Sequence, residues 1–245
     1  MCLMHFLKHK ARTFTRQEEG VAFIEFAFAI TILLLLFLGC VELTRYVIII
    51  QKLEKTVSEV ADVVTQTDPS TSPLTDLEMS QLMDAVQYMM SPYTTMSNTY
   101  TSSNTRIIIT DIQNISSTAT PNPVIMWQFC SRSGLSGTSY YSKLGNTSSC
   151  TAGSTCTITD AQFGAAGFST GTSGFRSNMQ TSEELVVGEV YYAYLPITNQ
   201  KLLTAATLYR MAAFMPRLGA LTSYVPNSTY SGSSPEPSPV PSSCP

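Results

Sequence analysis

Hydrophobic and polar positions divide this chain into stretches of different period. From Phe26 to Val41 no charged residue occurs, and the apolar run extends to Ile50 past only Glu42 and Arg45. Crossing a bilayer takes about 20 mostly apolar helical residues, so the run predicts a membrane helix. Beyond it Tyr46, Ile49, Ile50, Leu53, Val57, Val60, Ala61 and Val64 recur every three or four positions. Gln51, Lys52, Glu54, Lys55, Ser58 and Glu59 fall between them. This is the stripe of an amphipathic helix that lays one face on a domain. One continuous helix over 21–66 follows, about 68 Å long at about 1.5 Å per residue.

Asp68-Pro69 and Ser72-Pro73 end that helix, because proline disfavours helical backbone in the residue before it. A second helix is expected over 76–90. Leu77, Leu82, Met83, Val86, Met89 and Met90 form its apolar side, and Pro92 lies beyond its end. The methionines read as adaptable core filler. β-branched and aromatic runs predict strands over 106–112, 124–129 (with Trp127, the sole tryptophan), 184–195 and 206–214. Between 131 and 182 Ser, Thr and Gly dominate and periodicity is weak. That length exceeds the loops of compact domains, so a surface excursion or a poorly ordered insertion is expected. The Pro/Ser-rich tail over 226–245 has the composition of an extended or disordered segment.

The fold class is therefore α+β: a long N-terminal transmembrane and amphipathic helix packed on a small antiparallel sheet domain. Its segments are a basic leader 1–20, the helix 21–66, an exported domain 67–225 with the insertion 131–182, and the tail 226–245.

Charge adds an orientation. Lys8, Lys10, Arg12 and Arg16 outweigh Glu18 and Glu19 ahead of the apolar run. The positive-inside tendency then puts the N-terminus in the cytoplasm and the residues beyond about 50 outside. Only 13% of residues are charged, and without residues 1–20 the chain carries ten basic and fifteen acidic groups, a net charge of about −5. A nucleic-acid binder would present a basic face, so that class is disfavoured. Cys2 lies in the leader and Cys40 in the membrane helix. Cys130, Cys150, Cys156 and Cys244 fall in the exported part, where disulfides persist. Four cysteines allow three pairings; Cys150–Cys156, closing a small loop over Thr151 to Thr155, is the preferred pair.

The hexapeptide Gly20-Val21-Ala22-Phe23-Ile24-Glu25 sits where the leader meets the helix. A carboxylate there needs a reason, since at the centre of a membrane helix it costs about 2.5–3.5 kcal/mol on insertion scales. Glycine followed five residues later by glutamate resembles the type IV prepilin processing site. The resemblance implies a membrane peptidase that cuts between Gly20 and Val21. Glu25-Phe26-Ala27, the run Leu33 to Leu36, and Gly39-Cys40-Val41-Glu42-Leu43-Thr44-Arg45 further resemble the TadE/TadG-like family of the tight-adherence (Flp) pilus system. Thr31 stands where family members often carry a proline. Gly188-Glu189-Val190-Tyr191-Tyr192, with Pro196 beyond, looks like the family's late strand.

That resemblance implies a minor pilin or pseudopilin in a bacterial inner membrane, with its C-terminal domain outside, that supports adhesion and biofilm formation. Glu25 and Phe26 would align helices, Glu25 by compensating the α-amine of a neighbouring subunit. Gly39, Glu42 and Arg45 would mark the membrane exit. The implied partners are a prepilin peptidase, the major pilin, sister pseudopilins, the inner-membrane assembly platform and membrane lipid. The bland reading of Glu25 is a membrane-edge acid with no partner.

Catalysis is poorly supported. Both histidines, His5 and His9, lie in the leader, so the processed chain lacks Ser-His-Asp, Cys-His and His-ligated metal sites. No cofactor or metal is expected. Phe37-Leu38-Gly39-Cys40 resembles a lipoprotein signal, but the apolar helix continues past it and acids precede it. Asp68-Pro69-Ser70-Thr71-Ser72 matches the metal motif of von Willebrand A domains without the buried strand that motif needs. Asn114-Ile115-Ser116, Asn146-Thr147-Ser148 and Asn227-Ser228-Thr229 fit the glycosylation pattern by coincidence in a Ser/Thr-rich chain. The alternative function is a non-polymerising, membrane-anchored periplasmic or surface binding module, with Tyr140, Tyr141, Tyr191, Tyr192 and Tyr194 as its aromatic face.

Overall fold

The computed structural model describes residues 2–68, 75–93, 104–118, 120–131, 135, 138–145, 156–197, 204–218 and 221, without the side chains of 2–19, 76, 77, 80, 87 and 138. The tail and part of the insertion lie outside these residues, as do the Asp68–Ser72 motif after its first residue and the second and third sequons. The chain forms two compact units. One is Met1–Ile48 with Pro196–Leu203, and the other is Ile49–Leu195 with Thr204–Pro245.

Helix α1 runs Cys2–Thr65, one residue short of the expected end. Within the second unit its stripe is buried as the period demands: Ile49, Leu53, Val57, Val60, Ala61 and Val64 are at most 1% exposed. Each of the Val, Leu and Ile side chains contributes about 1.5–3 kcal/mol on leaving water. Helix α2, Asp76–Met90, has the expected bounds and opens on a capping box. The Thr75 hydroxyl accepts from the Glu78 N–H, and the Glu78 carboxylate accepts from the Thr75 N–H at 3.0 Å. These bonds satisfy amides that a helix start leaves open. Met79, Met83, Val86 and Met90 form its buried stripe, while Leu82 and Met89 are half-buried at its border.

Strands β1 (Thr105–Asn114), β2 (Pro123–Cys130), β3 (Cys156–Thr157), β4 (Glu184–Tyr194) and β5 (Ala206–Phe214) form one antiparallel sheet in the order β3-β2-β1-β4-β5. In register, Gly188 faces Ile109 on one side and Ala212 on the other. An added Cβ at Gly188 would stand 3.0 Å from Val57 Cγ2 and 3.3 Å from Ala61 Cβ, so this glycine lets α1 approach the sheet. Alternation along β4 then sends Val186 and Val190 toward α1, and Leu185, Val187, Glu189 and Tyr191 to the opposite face.

That opposite face is covered by residues the sequence suggested would form a loose excursion. Leu144, Ile158, Phe163, Ala166 and Met179 are buried in one cluster with Ile112, Ile125, Leu185 and Val187. Helix α3, Asp160–Ala166, opens on a Thr159/Gln162 capping box and closes at Gly167 (φ 111°), a left-handed position that suits glycine. Phe163, Phe168 and Phe175, the last in the short helix α4 (Phe175–Asn178), stack with centroids 4.7–5.5 Å apart. So the described part of the insertion is a second covering layer. Its described large apolar residues are buried or half-buried, which low overall hydrophobicity concealed.

Side-chain hydrogen bonds close the connections. Asn114 Nδ2 donates to the Met179 and Gln180 carbonyls, and its Oδ1 accepts the Ser116 and Asn122 amides. The Asn114 amide of the first sequon is therefore fully engaged inside the fold. The Tyr93 carbonyl accepts both Asn104 Nδ2 at 3.1 Å and Tyr192 Oη at 2.8 Å. Lys52 Nζ donates to the Ser91 carbonyl and lies 5.3 Å from the centroid of the Tyr93 ring.

Candidate functional site

Within the first unit, every residue from Val21 to Leu38 is exposed. The most apolar window of α1 has a mean hydropathy of 2.7 and none of it is buried. Gly20, Val21, Glu25 and Phe26 all sit on this helical surface, Phe26 at 63% exposure. A side chain added at Gly20 would meet nothing within 4 Å. Val21 and Glu25 are four positions apart and so share one helix face. The hydroxyl of Thr31 donates to the Ala27 carbonyl and that of Thr44 to the Cys40 carbonyl, both at 2.8 Å, so neither needs a water or lipid partner.

Gly39, Glu42 and Arg45 follow at three-residue spacing and lie along one stripe. Glu42 is 2% exposed, while Gly39 and Arg45 are half-buried. The Glu42 carboxylate accepts the Ile197 N–H at 3.1 Å. Ile197 belongs to the β4–β5 connection, whose Pro196 is buried, while the Ile197 side chain is 64% exposed. Val41, Leu43, Val47 and Ile48, on the remaining faces of the same turns, stay exposed. The exit motif thus makes a polar stripe that receives a loop of the same chain. A lone acid in an apolar run was readable from the sequence; its backbone donor 155 positions away was not.

Three buried acids lie in the second unit: Asp111, Glu189 of the late-strand patch, and Glu184, which as one of two adjacent acids before a strand would be expected in solvent. Glu189 is fully buried and accepts from Ser142 Oγ, the Lys143 N–H (2.9 Å) and Tyr209 Oη (2.8 Å). Loss of hydration raises its proton affinity, and the three donors offset part of that rise. The burial that raises Glu189 also pushes the Tyr209 and Tyr191 hydroxyls up, with the Glu189 charge adding to it. This network ties residues 142–143 to the sheet and serves structure. Asp111 is also fully buried, and neither carboxyl oxygen has a hydrogen-bond partner among the described residues. Burial, with the Glu184 charge second, holds Asp111 well above the usual carboxylate range. Glu184 is raised mainly by burial and accepts the Leu221 N–H at 2.5 Å, while the Leu221 carbonyl accepts Trp127 Nε1 at 2.8 Å.

Among the cysteines, Cys40 is free and exposed on the helix. Cys130 and Cys156 are disulfide-bonded. They do not bond each other: Cys156 pairs with Ile125, five β2 positions from Cys130, which is about 17 Å at strand spacing. A bridge needs Cα atoms within about 7 Å. Cys150 and Cys244 lie outside the described residues. The tyrosines that could have made an aromatic binding face are used internally. Tyr191, Tyr192 and Tyr194 are buried; Tyr191 Oη donates to the Tyr141 carbonyl at 2.6 Å, and Tyr140 packs edge-on against the Tyr191 ring. Among the described residues, no group of three or more His, Cys, Asp or Glu is placed to hold a metal ion.

Residues 20–62 match the family model described as TadE-like protein, which spans the exposed apolar helix, the Gly39/Glu42/Arg45 stripe and most of the buried stripe. No curated protein and no solved structure matches the chain.

Proposed function

We propose that this chain, TadE-like over residues 20–62, is a membrane-anchored structural component of a tight-adherence (Flp) pilus machine. In this reading it is a minor pilin or pseudopilin, cut between Gly20 and Val21. The observation that carries the reading is the apolar helix surface from Val21 to Leu38, exposed throughout in a chain that otherwise buries its apolar stripes. Contiguous apolar surface on that scale needs lipid or other helices to cover it. Lateral packing of such helices in the bilayer, followed by incorporation into a fibre or priming of one, supplies both.

Glu25 fits this scheme chemically. Cutting after Gly20 would create an α-amine one helical turn below the carboxylate. In a bundle of staggered helices, that amine offsets a carboxylate that lipid would otherwise leave without counter-charge. The partners are then a prepilin peptidase, the major pilin, sister pseudopilins and the inner-membrane platform, with the sheet domain on the periplasmic or extracellular side. Cys150 is the preferred partner of Cys156, which leaves Cys244 for Cys130; peptide mapping of the oxidised protein checks both bridges.

Processing and assembly are separable readouts. Gly20→Leu should leave the leader attached, so that N-terminal sequencing no longer finds Val21 first. Glu25→Ala should be cut normally yet fail to support pili. If both variants process and assemble like the parent, the pilin reading fails.

A further inference from the structure

We infer that the loop after β4, at Pro196-Ile197, is a second membrane contact that seats against α1 and enters the headgroup region of the outer leaflet. The inference rests on the reading of α1 as a membrane span. From Val21 to Val41 the helix rises about 30 Å with Glu25 its one charge, which matches a hydrocarbon core about 30 Å thick and puts Glu42 at its outer edge. The next two turns carry two characters. Val41, Leu43, Val47 and Ile48 are apolar and exposed, so three sides of these turns continue the lipid-facing surface. The fourth side carries Glu42 and Arg45, and it is there that the loop sits.

The Ile197 amide takes the Glu42 carboxylate, and Pro196 is buried beside it. With that side covered, the apolar surface of α1 continues from the core edge at Val41 to Ile48, about 10 Å further out among the headgroups. A loop seated at the level of Glu42 is then at the level of lipid as well. Its outward side chain matches that environment: Ile197 is 64% exposed and apolar. In water such an exposed apolar residue gains nothing, whereas at a bilayer surface it gains from burial. The occupant of this surface is therefore phospholipid, continuous with the lipid around the helix.

Tryptophan quenching by brominated lipid tests this in the full chain. Trp127, the sole native tryptophan, supplies the baseline. Ile197→Trp, Leu34→Trp and Tyr88→Trp are each reconstituted in phosphatidylcholine–phosphatidylglycerol vesicles. The lipids carry bromine either near the headgroup or near the chain ends. Tyr88→Trp controls for the membrane affinity of tryptophan itself, since Tyr88 is 72% exposed on α2. The expected result is blue-shifted Ile197→Trp emission that loses most of its intensity to shallow bromine and little to deep bromine. Leu34→Trp should show the reverse order, and Tyr88→Trp should stay at baseline. If Leu34→Trp is quenched but Ile197→Trp is red-shifted and unquenched, the loop contact is wrong and the span stands. If neither is quenched, the span fails and takes the loop with it. Blue-shifted but unquenched Ile197→Trp emission would assign the surface to a second copy of the chain and overturn the lipid assignment.

Discussion

One helix carries two kinds of apolar surface. From Val21 to Leu38 every position is exposed whatever its side chain, and apart from Glu25 and Thr31 the sequence is apolar all round. From Ile49 to Val64 six apolar residues form one stripe at most 1% exposed, with Ile50 half-buried beside it and Val63 exposed. In the second stretch the chain itself supplies the partner, so each side chain contributes to the stability of a single molecule. In the first, no partner is seen among the described residues, and the proposed function assigns those side chains to lipid or other subunits. Substitutions should therefore sort by half: folding defects from one, assembly defects from the other.

The sharpest way to break the contrast is a matched pair of truncations. Leu53→Ala should lower the unfolding free energy of the sheet domain by about 2–5 kcal/mol, the usual cost of a buried leucine with its cavity. Leu34→Ala should leave urea unfolding in detergent unchanged while weakening pilus assembly. Comparable losses for both would mean that the two surfaces are not distinct. Next comes Gly188→Val, which places side-chain atoms against Val57 and Ala61 and should cost about 1–3 kcal/mol by overpacking. No matching effect is expected at Gly20 or Gly39, where an added Cβ meets nothing.

The buried acids sharpen the comparison through pH. Asp111, Glu184 and Glu189 hold protons in the folded state at pH values where free carboxyls, titrating near about 4, have released them. Folding is thus coupled to proton uptake, and stability is full at acid pH and falls as pH rises toward neutral. Asp111→Asn should raise the urea midpoint at neutral pH by an equivalent of about 1–3 kcal/mol and flatten that slope. A slope that is unchanged, or that steepens, would place Asp111 in a different protonation state. The smallest effect belongs to Arg210→Ala. Its ion pair with Glu54, at 2.8 Å and largely exposed, should contribute no more than about 1 kcal/mol and fade in salt.

Period and composition made much of this molecule legible. Both long helices follow from apolar repeats near 3.6, and the four longer strands from runs of β-branched and aromatic residues. The insertion was not legible because Leu144, Ile158, Phe163, Ala166 and Met179 are spread too thinly to set a period, and its helices of seven and four residues are too short to show one. Its usable signals were local: Thr159 three residues before Gln162, and Gly167 just past the helix. Glu189 and Asp111 were hidden because β4 and β1 are buried on both faces, so an acid in either strand breaks no visible alternation. Of the candidate site, Gly20, Glu25 and the exit motif were readable as anomalies of charge and glycine within an apolar run. The donor to Glu42 was not, because nothing local in Leu195-Pro196-Ile197 points to a helix so distant in sequence.

The Tyr93 carbonyl has a practical consequence. By accepting both Asn104 Nδ2 and Tyr192 Oη, it fixes the two ends of the stretch between residues 93 and 104 to the sheet at one point. With its ends clamped, that stretch can be lengthened at low entropic cost, about 0.6 kcal/mol for each doubling. An epitope or a fluorogenic tag inserted there would leave both helices and the sheet register intact. The pilus machine of the proposed function could then be imaged through this chain without touching the helix surface which that proposal assigns to assembly.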